Sequence, residues 1–314
     1  MFSTPVLFIV FNRPDATLAT FNAIREARPS ALYIAADGPR QEREDDLKNC
    51  AEVRSLVKNI DWECRVQYLF RDKNLGCKIS VSTAIDWFFE NETEGIILED
   101  DCLPNPSFFI FCQQLLDKYR DDKRVMTICG RNPMGETDIA SSYLFSRFNK
   151  EWGWASWRRA WQMHDIEKTC FDLAVTEGVF KRVFDDPEIC KYLHDVNKSV
   201  QYDGHVSWAY PWQFNIISQN GLAVVPAYNL VTNIGLNSGT HFDVGSNVNR
   251  DVFNIKTYTI PFPLKHPAFV FPDMKYDTAC FYVVHPYLLP KKYTTLDRMK
   301  DSFKYRFNKL LGRA

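Results

Sequence analysis

The chain has no C-x-x-C pair, no excess of charge of either sign, and no long apolar run at its start. Its nine cysteines, an odd number, are scattered over 314 residues at irregular spacing. That pattern excludes a paired-cysteine zinc site and a secreted disulfide framework, and it points to a reducing compartment. The first apolar run, Val6 to Phe11, is six residues long with no positive residue before it. It is too short for a signal peptide or a membrane span and reads as a buried strand. Lys plus Arg total 38 against 39 Asp plus Glu, so no global field recruits nucleic acid or anionic lipid, and no nucleic-acid partner is expected. Any charged ligand must be met by local groups. What is present is 46% hydrophobic and 15% aromatic residues, enough to bury a full core as one large domain or one domain with a subdomain.

Strand and helix patterns alternate from the first residues. After the strand Val6 to Phe11, Pro14 can start a helix whose Leu18, Phe21 and Ile24 share a face. Ala31 to Ala36 is a second strand ending at the turn signal "DGPR". Residues 40 to 58 read as a solvated helix, Val66 to Phe70 as a third strand, Cys77 to Glu90 as a helix and Gly95 to Glu99 as a fourth strand. Such alternation predicts an α/β fold with a mostly parallel sheet flanked by helices, and ligands in such sheets bind beyond the carboxyl ends of the strands.

The stretch "EGIILEDDCLPNPSFFIF" places Glu99, Asp100 and Asp101 at that carboxyl edge, with Pro104 and Pro106 forcing the turn into a helix from Ser107 to Tyr119. Three crowded carboxylates repel one another unless a cation or hydrogen-bond donors compensate. A hard divalent ion bridging a carboxylate to a diphosphate is one compensation; an acidic turn that only caps the following helix is the other reading. Neighbouring strand ends add Arg13 in "FNRP", suited to a phosphate, Asp37 as a free acceptor for a ribose hydroxyl or a base N–H, and Lys78 at the start of the next helix. Together they suit a nucleoside diphosphate with a metal.

The order "VLFIVFNR", "AADG", "NLGCKISVSTAIDWFF", "IILEDDCLPNPSFFIF", "MTICGRN" resembles the nucleotide-sugar half of GT-A glycosyltransferases, among them bacterial cell-surface polysaccharide transferases and the Golgi enzyme that adds N-acetylglucosamine to α-mannosides. "NKEWGWASWRRAW" resembles their acceptor-side segment and "NGLAVVPAYNLVTNIGLNSGTH" their closing segment, so the likeness runs from about Val6 to His241. It implies a GT-A fold with an acceptor-side subdomain: a nucleotide-sugar half over 1–130, an acceptor-side half over 131–260 and a C-terminal extension over 261–314. It also implies an inverting hexosyltransferase that uses Mn2+ or Mg2+, with a UDP-sugar donor and a glycan or lipid-linked glycan acceptor. Carried over by position, Asp101 and His241 would meet the metal, Glu99 and Asp100 the sugar and ribose, Asn12 and Arg13 the diphosphate region, and Asp37 and Ser82 the base. Lys78 adds a further cation for the donor.

On the acceptor side, Glu151, Trp152 and Trp208 are expected to touch sugar, because aromatic faces stack on the C–H face of a pyranose and a carboxylate accepts from its hydroxyls. If "EWGWASWRRAW" is helical, Trp154, Trp157 and Trp161 form one buried stripe. Inverting transfer needs a carboxylate base. Ala209 and Tyr210 stand where the relatives carry an Asp, and Asp203, a short way upstream, is the expected replacement; a protein that binds nucleotide sugar or glycan without turnover is the alternative. Residues 291–314 carry eight Lys or Arg and, as a helix, align Leu296, Met299, Phe303, Phe307 and Leu310. That is the pattern of an interfacial helix, or of a helix packed on the domain with a basic outer face. A cytoplasmic protein resting on the inner face of the plasma membrane is expected.

Overall fold

The computed structural model describes residues 2–204, 206–235 and 255–289. It begins with β1 (Val6–Val10), α1 (Pro14–Ala27), β2 (Ala31–Ala36), α2 (Glu44–Leu56), β3 (Arg65–Phe70), α3 (Gly76–Asn91) and β4 (Glu94–Glu99). β5 (Cys102–Pro104), α4 (Pro106–Lys118), β6 (Val125–Cys129), β7 (Tyr143–Ser146) and β8 (Trp154–Trp157) follow. A helical run, α5 (Arg158–Trp161), α6 (Phe171–Thr176), α7 (Val179–Val183), α8 (Pro187–Tyr202) and α9 (Ala209–Ser218), precedes β9 (Leu222–Pro226), β10 (Val231–Asn233) and α10 (Met274–Val284). No helix among the described residues is long and apolar enough to cross a membrane.

Local chemistry explains the element ends. Pro14 and Pro106 occupy first-turn positions of α1 and α4, where a missing N–H costs nothing, and Asn105 caps α4 by accepting from the Ser107 amide at 3.0 Å. The strands β1 and β2 are buried along their whole length, as the continuous apolar runs require of strands covered on both faces. Val6, Phe8 and Val10 pack with Phe21 and Ile24 of α1 on one face, while Leu7 and Ile9 pack with Val81 and Ile85 of α3 on the other. Each such fully buried side chain contributes about 1.5–3 kcal/mol relative to exposure.

The sheet has eight strands in the order β3-β2-β1-β4-β8-β6-β9-β7. β3, β2, β1 and β4 run parallel, as do β6 and β9; β8 is antiparallel to both β4 and β6, and β7 is antiparallel to β9. The fold is therefore mixed α/β, with helices on both faces, as the alternation predicts. A separate short ladder joins β10 to β5. The helices α6 to α10 gather their own aromatic core around Phe171, Phe180, Phe214 and Phe281.

The tryptophan segment differs from the helical expectation. Trp154–Trp157 is a strand, inserted between β4 and β6, and a helix begins only at Arg158. Strand period two sends Trp154 and Trp157 to opposite faces, into two different core clusters, where a helix would have put them on one stripe. Both are core residues all the same, each 1% exposed.

Candidate functional site

From β1 the chain builds outward through β2 to β3, then returns to place β4 on the other side of β1. The connections after β1 and β4 thus leave in opposite directions and open a crevice above their carboxyl ends, the place where open α/β sheets bind ligands. Arg13 follows β1; Glu99 ends β4, with Asp100 and Asp101 after it. The Arg13 guanidinium bonds Asp101 Oδ2 closely and lies 3.6 Å from Asp100 Oδ1. Burial opposes its charge, but Asp100, Asp101 and Glu99 outweigh that and hold it raised above the ordinary arginine value. Asp100 also accepts from the Phe11 amide at 3.3 Å, and its backbone carbonyl accepts from Thr20 Oγ1 at 3.0 Å.

Three carboxylates share this one guanidinium. Glu99 is pushed up to about 8 by burial and by the charges of Asp101, Asp100 and Glu151. Asp100 is pushed up to about 7, burial outweighing Arg13. The backbone of Gly235 closes over the Arg13–Asp101 pair: a Cβ there would stand 2.6 Å from Arg13 Nη1 and 2.8 Å from Asp101 Cβ. β10 sets this approach, because Asn233 pairs with Cys102 and the Ile234 amide donates to the Asp101 carbonyl at 2.8 Å.

The antiparallel strand β8 completes the edge. Its first residue, Trp154, pairs with Ile97 and with Cys129, so the residues before it emerge at the carboxyl ends of β4 and β6. That puts Glu151 and Trp152 beside Arg131, which follows β6. The Arg131 guanidinium lies 3.8 Å from the Trp152 ring centroid, a cation–π contact covering one face of that indole. Arg131 is itself buried, which lowers its pKa, while the Glu151 charge works the other way. Glu151 is half-buried and reachable from solvent. Gly153 makes the turn at φ 62°, where Cβ-bearing residues are strained, and lies under Val231 of β10.

Several expected contacts fall elsewhere. Asp37 is no free acceptor. Its two carboxylate oxygens take the Gly38 amide at 3.0 Å, Asn74 Nδ2 at 3.0 Å, the Leu75 amide at 3.0 and 3.1 Å, and the Gly76 amide at 3.2 Å. These include orphan donors at the start of α3, so Asp37 clamps that helix to the β2 loop. Asn12 donates to Asp46 Oδ1 at 2.6 Å, which ties it to α2. Lys78 pairs with Glu167 at 3.3 Å on the surface. Ser82 is 2% exposed on the sheet-facing side of α3, and Trp208 is 4% exposed and stacked on Trp154, so neither offers a face to a ligand. Asp203 is exposed just past the end of α8; its neighbour Tyr202 reaches Asp172 on α6 at 2.6 Å. His241 and residues 291–314 lie outside the described residues.

Among the described residues, no group of three or more His, Cys, Asp or Glu is arranged to hold a metal ion. The donors at the edge are carboxylate oxygens, the set that suits a hard cation whose remaining ligands are phosphate oxygens and water. Arg131 and Gly235 are site residues that the sequence reading passed over. The signal for Arg131 was "CGRN", an arginine directly after a buried strand, as in "FNRP". Gly235 gave none, since its role depends on a contact with residues 13 and 101.

No family model matches the chain, and no curated protein matches it. Among solved structures it is similar to UDP-glucose pyrophosphorylase complexed with UDP-glucose, at 12% identity over 53% of this chain and 80% of that one, with a TM-score of 0.31. It is similar to 4-diphosphocytidyl-2C-methyl-D-erythritol synthase from Anaerococcus prevotii, at 8% identity over 52% of this chain and 75% of that one, TM-score 0.32. The glycosyltransferase GlyE of Streptococcus pneumoniae is 12% identical over 68% of this chain and 43% of its own, TM-score 0.32.

Proposed function

We propose that the protein is a metal-dependent glycosyltransferase that moves a hexose from a nucleoside-diphosphate donor, foremost a UDP-sugar, to a cell-surface glycan with inversion. The observation that carries this reading is the meeting of Arg13 with Glu99, Asp100 and Asp101 astride the crevice between β1 and β4. One guanidinium set against three carboxylates leaves an excess of negative charge and supports a ligand that brings both phosphate and a cation. The seven sequence blocks resembling GT-A transferases support it independently.

In this reading Asp101 holds Mn2+ or Mg2+, whose chemistry is to neutralise the departing diphosphate. Arg13 meets the diphosphate; Glu99 and Asp100 face the sugar and ribose. Glu151 is the proposed base in preference to Asp203. It stands at the same strand edge, and its charge acts on Glu99. The acceptor hydroxyl oxygen bonds to the anomeric carbon as the bond from that carbon to the β-phosphate oxygen breaks. Glu151 takes the hydroxyl proton, and the electron pair leaves with the nucleoside diphosphate.

The test is a panel of nucleotide sugars with Mn2+, read by mass spectrometry of glycan products. Glu151→Gln is expected to lower turnover by about two to four orders of magnitude with donor binding intact, and Asp203→Asn to leave it near normal. The reverse result would return the base to Asp203. Ala209 at the start of α9 favours a second reading, binding without turnover; donor binding with no product from any sugar would establish it.

A further inference from the structure

The geometry points to a saccharide subsite beside Glu151, formed by Tyr192, Tyr210 and Tyr287, which holds the pyranoside that accepts the transferred sugar. Its role rests on the reaction proposed above; its ligand is argued from its own residues. Tyr192 lies on α8, Tyr210 in the first turn of α9, and Tyr287 in the 3-10 turn Pro286–Leu288 after α10. Three elements distant in sequence bring their phenols together. The Tyr192 and Tyr210 hydroxyls are 3.2 Å apart. The His285 ring packs 4.4 Å from the Tyr192 ring, and its Nδ1 is 3.4 Å from the Tyr287 hydroxyl. His285 thereby joins Tyr287 to the Tyr192–Tyr210 pair.

The cluster adjoins the carboxylate edge through the start of α9. The Asn149 amide donates to Gln213 Oε1 at 2.5 Å and Trp208 stacks on Trp154 at 5.9 Å, so the start of α9, which carries Tyr210, is fastened to the segment that carries Glu151. A group bound among the phenols therefore lies on the side of the sheet edge that carries the proposed base. Tyr287 is 47% exposed and is the ring that faces solvent; Tyr192, packed on Phe281 and His285, and Tyr210 are half-buried and line the inner side of the cluster, unlike the core tyrosine Tyr33.

The chemistry selects the ligand class. A pyranose has an apolar C–H face and a rim of hydroxyls that both donate and accept. A phenol offers the matching pair, an aromatic face and a hydroxyl that donates and accepts. Burial raises Tyr192 and Tyr210 above the ordinary phenol range and pushes His285 down to about 4, so these side chains are uncharged at neutral pH. Neutral, two-faced groups of this kind fit a sugar better than they fit a phosphate or a free carboxylate.

The experiment is saturation-transfer NMR on the full chain with the methyl β-pyranosides of glucose, galactose, mannose and N-acetylglucosamine, each with and without UDP and MnCl2. At least one is expected to receive saturation. Tyr287→Ala and Tyr210→Phe are each expected to weaken it about three- to tenfold, the equivalent of one aromatic contact or one neutral hydrogen bond. Tyr68→Phe, on β3, is expected to leave it unchanged. Binding by no pyranoside under either condition, or binding that survives the Tyr210→Phe/Tyr287→Ala double variant, overturns the subsite. UDP calorimetry on the same samples separates the two readings. Pyranoside binding without UDP binding removes the donor assignment and leaves the subsite standing; UDP binding without pyranoside binding removes the subsite alone.

Discussion

Gly235→Ala adds a single methyl group at the point where the candidate site closes. The new Cβ would meet Asp101 Oδ2, lie 2.6 Å from Arg13 Nη1 and lie 2.8 Å from Asp101 Cβ, all far inside van der Waals contact. The backbone cannot simply retreat. The Gly235 amide donates to Asn233 Oδ1 at 2.9 Å, and the preceding amide donates to the Asp101 carbonyl at 2.8 Å, so the segment is fastened to the residue it would strike. Arg13, with its side chain 20% exposed, is the part free to swing away. Overpacking of this kind costs about 1–3 kcal/mol, and relief by displacing Arg13 gives up a charge-assisted hydrogen bond of similar size. Loss of Arg13 from the proposed diphosphate position is then expected to weaken UDP binding by about 10- to 100-fold. Calorimetry with UDP and Mn2+, beside thermal unfolding, reads both terms. Gly178→Ala is the control, because Gly178 has φ 65° but no neighbour within 4 Å, so it tests glycine strain without the clash. Unchanged UDP affinity together with an unchanged melting temperature in Gly235→Ala would refute the argument.

The hydrogen bond from Arg40, aided by that from Asn12 and opposed by burial, holds Asp46 down to about 2, below the ordinary aspartate range. A depressed folded-state pKa contributes stability above the unfolded value and loses it as pH falls toward 2; Asp46→Asn should therefore lose about 1–2 kcal/mol at pH 7 and flatten the acid limb of urea-unfolding curves. Asp37→Asn leaves four donor groups facing one amide, so stability should drop by about 1–3 kcal/mol and hydrogen exchange at Leu75 and Gly76 should quicken, while any loss of nucleotide affinity stays secondary. Direct nucleotide loss with the fold unmoved would restore Asp37 as a ligand contact. Truncation after Pro290 should release the protein from anionic liposomes at low salt and spare activity on a soluble acceptor; unfolding of the truncated chain would show a packed helix instead.

What the sequence determined by itself was the strand and helix alternation and the edge on which the acids emerge. Both follow from local rules: continuous apolar runs make doubly covered strands, proline fixes helix starts, and the residue after a buried strand in a parallel sheet must surface at its carboxyl end. Arg13, Glu99, Asp100 and Asp101 could be placed this way because each directly ends or follows such a run. Tertiary structure decided the rest through partners far off in the chain. Trp154–Trp157 is a strand because β4 and β6 offer it hydrogen bonds on both sides, which the amphipathic pattern of the segment does not record. Asp37 became a helix clamp because Asn74 to Gly76 present donors to it across 37 to 39 positions. Arg131, Glu151 and Gly235 joined the carboxylates only through the antiparallel course of β8 and the β5–β10 ladder. Periodicity reports which face of an element is buried; it carries no information about which element lies against that face, and it is that choice which assembles the site.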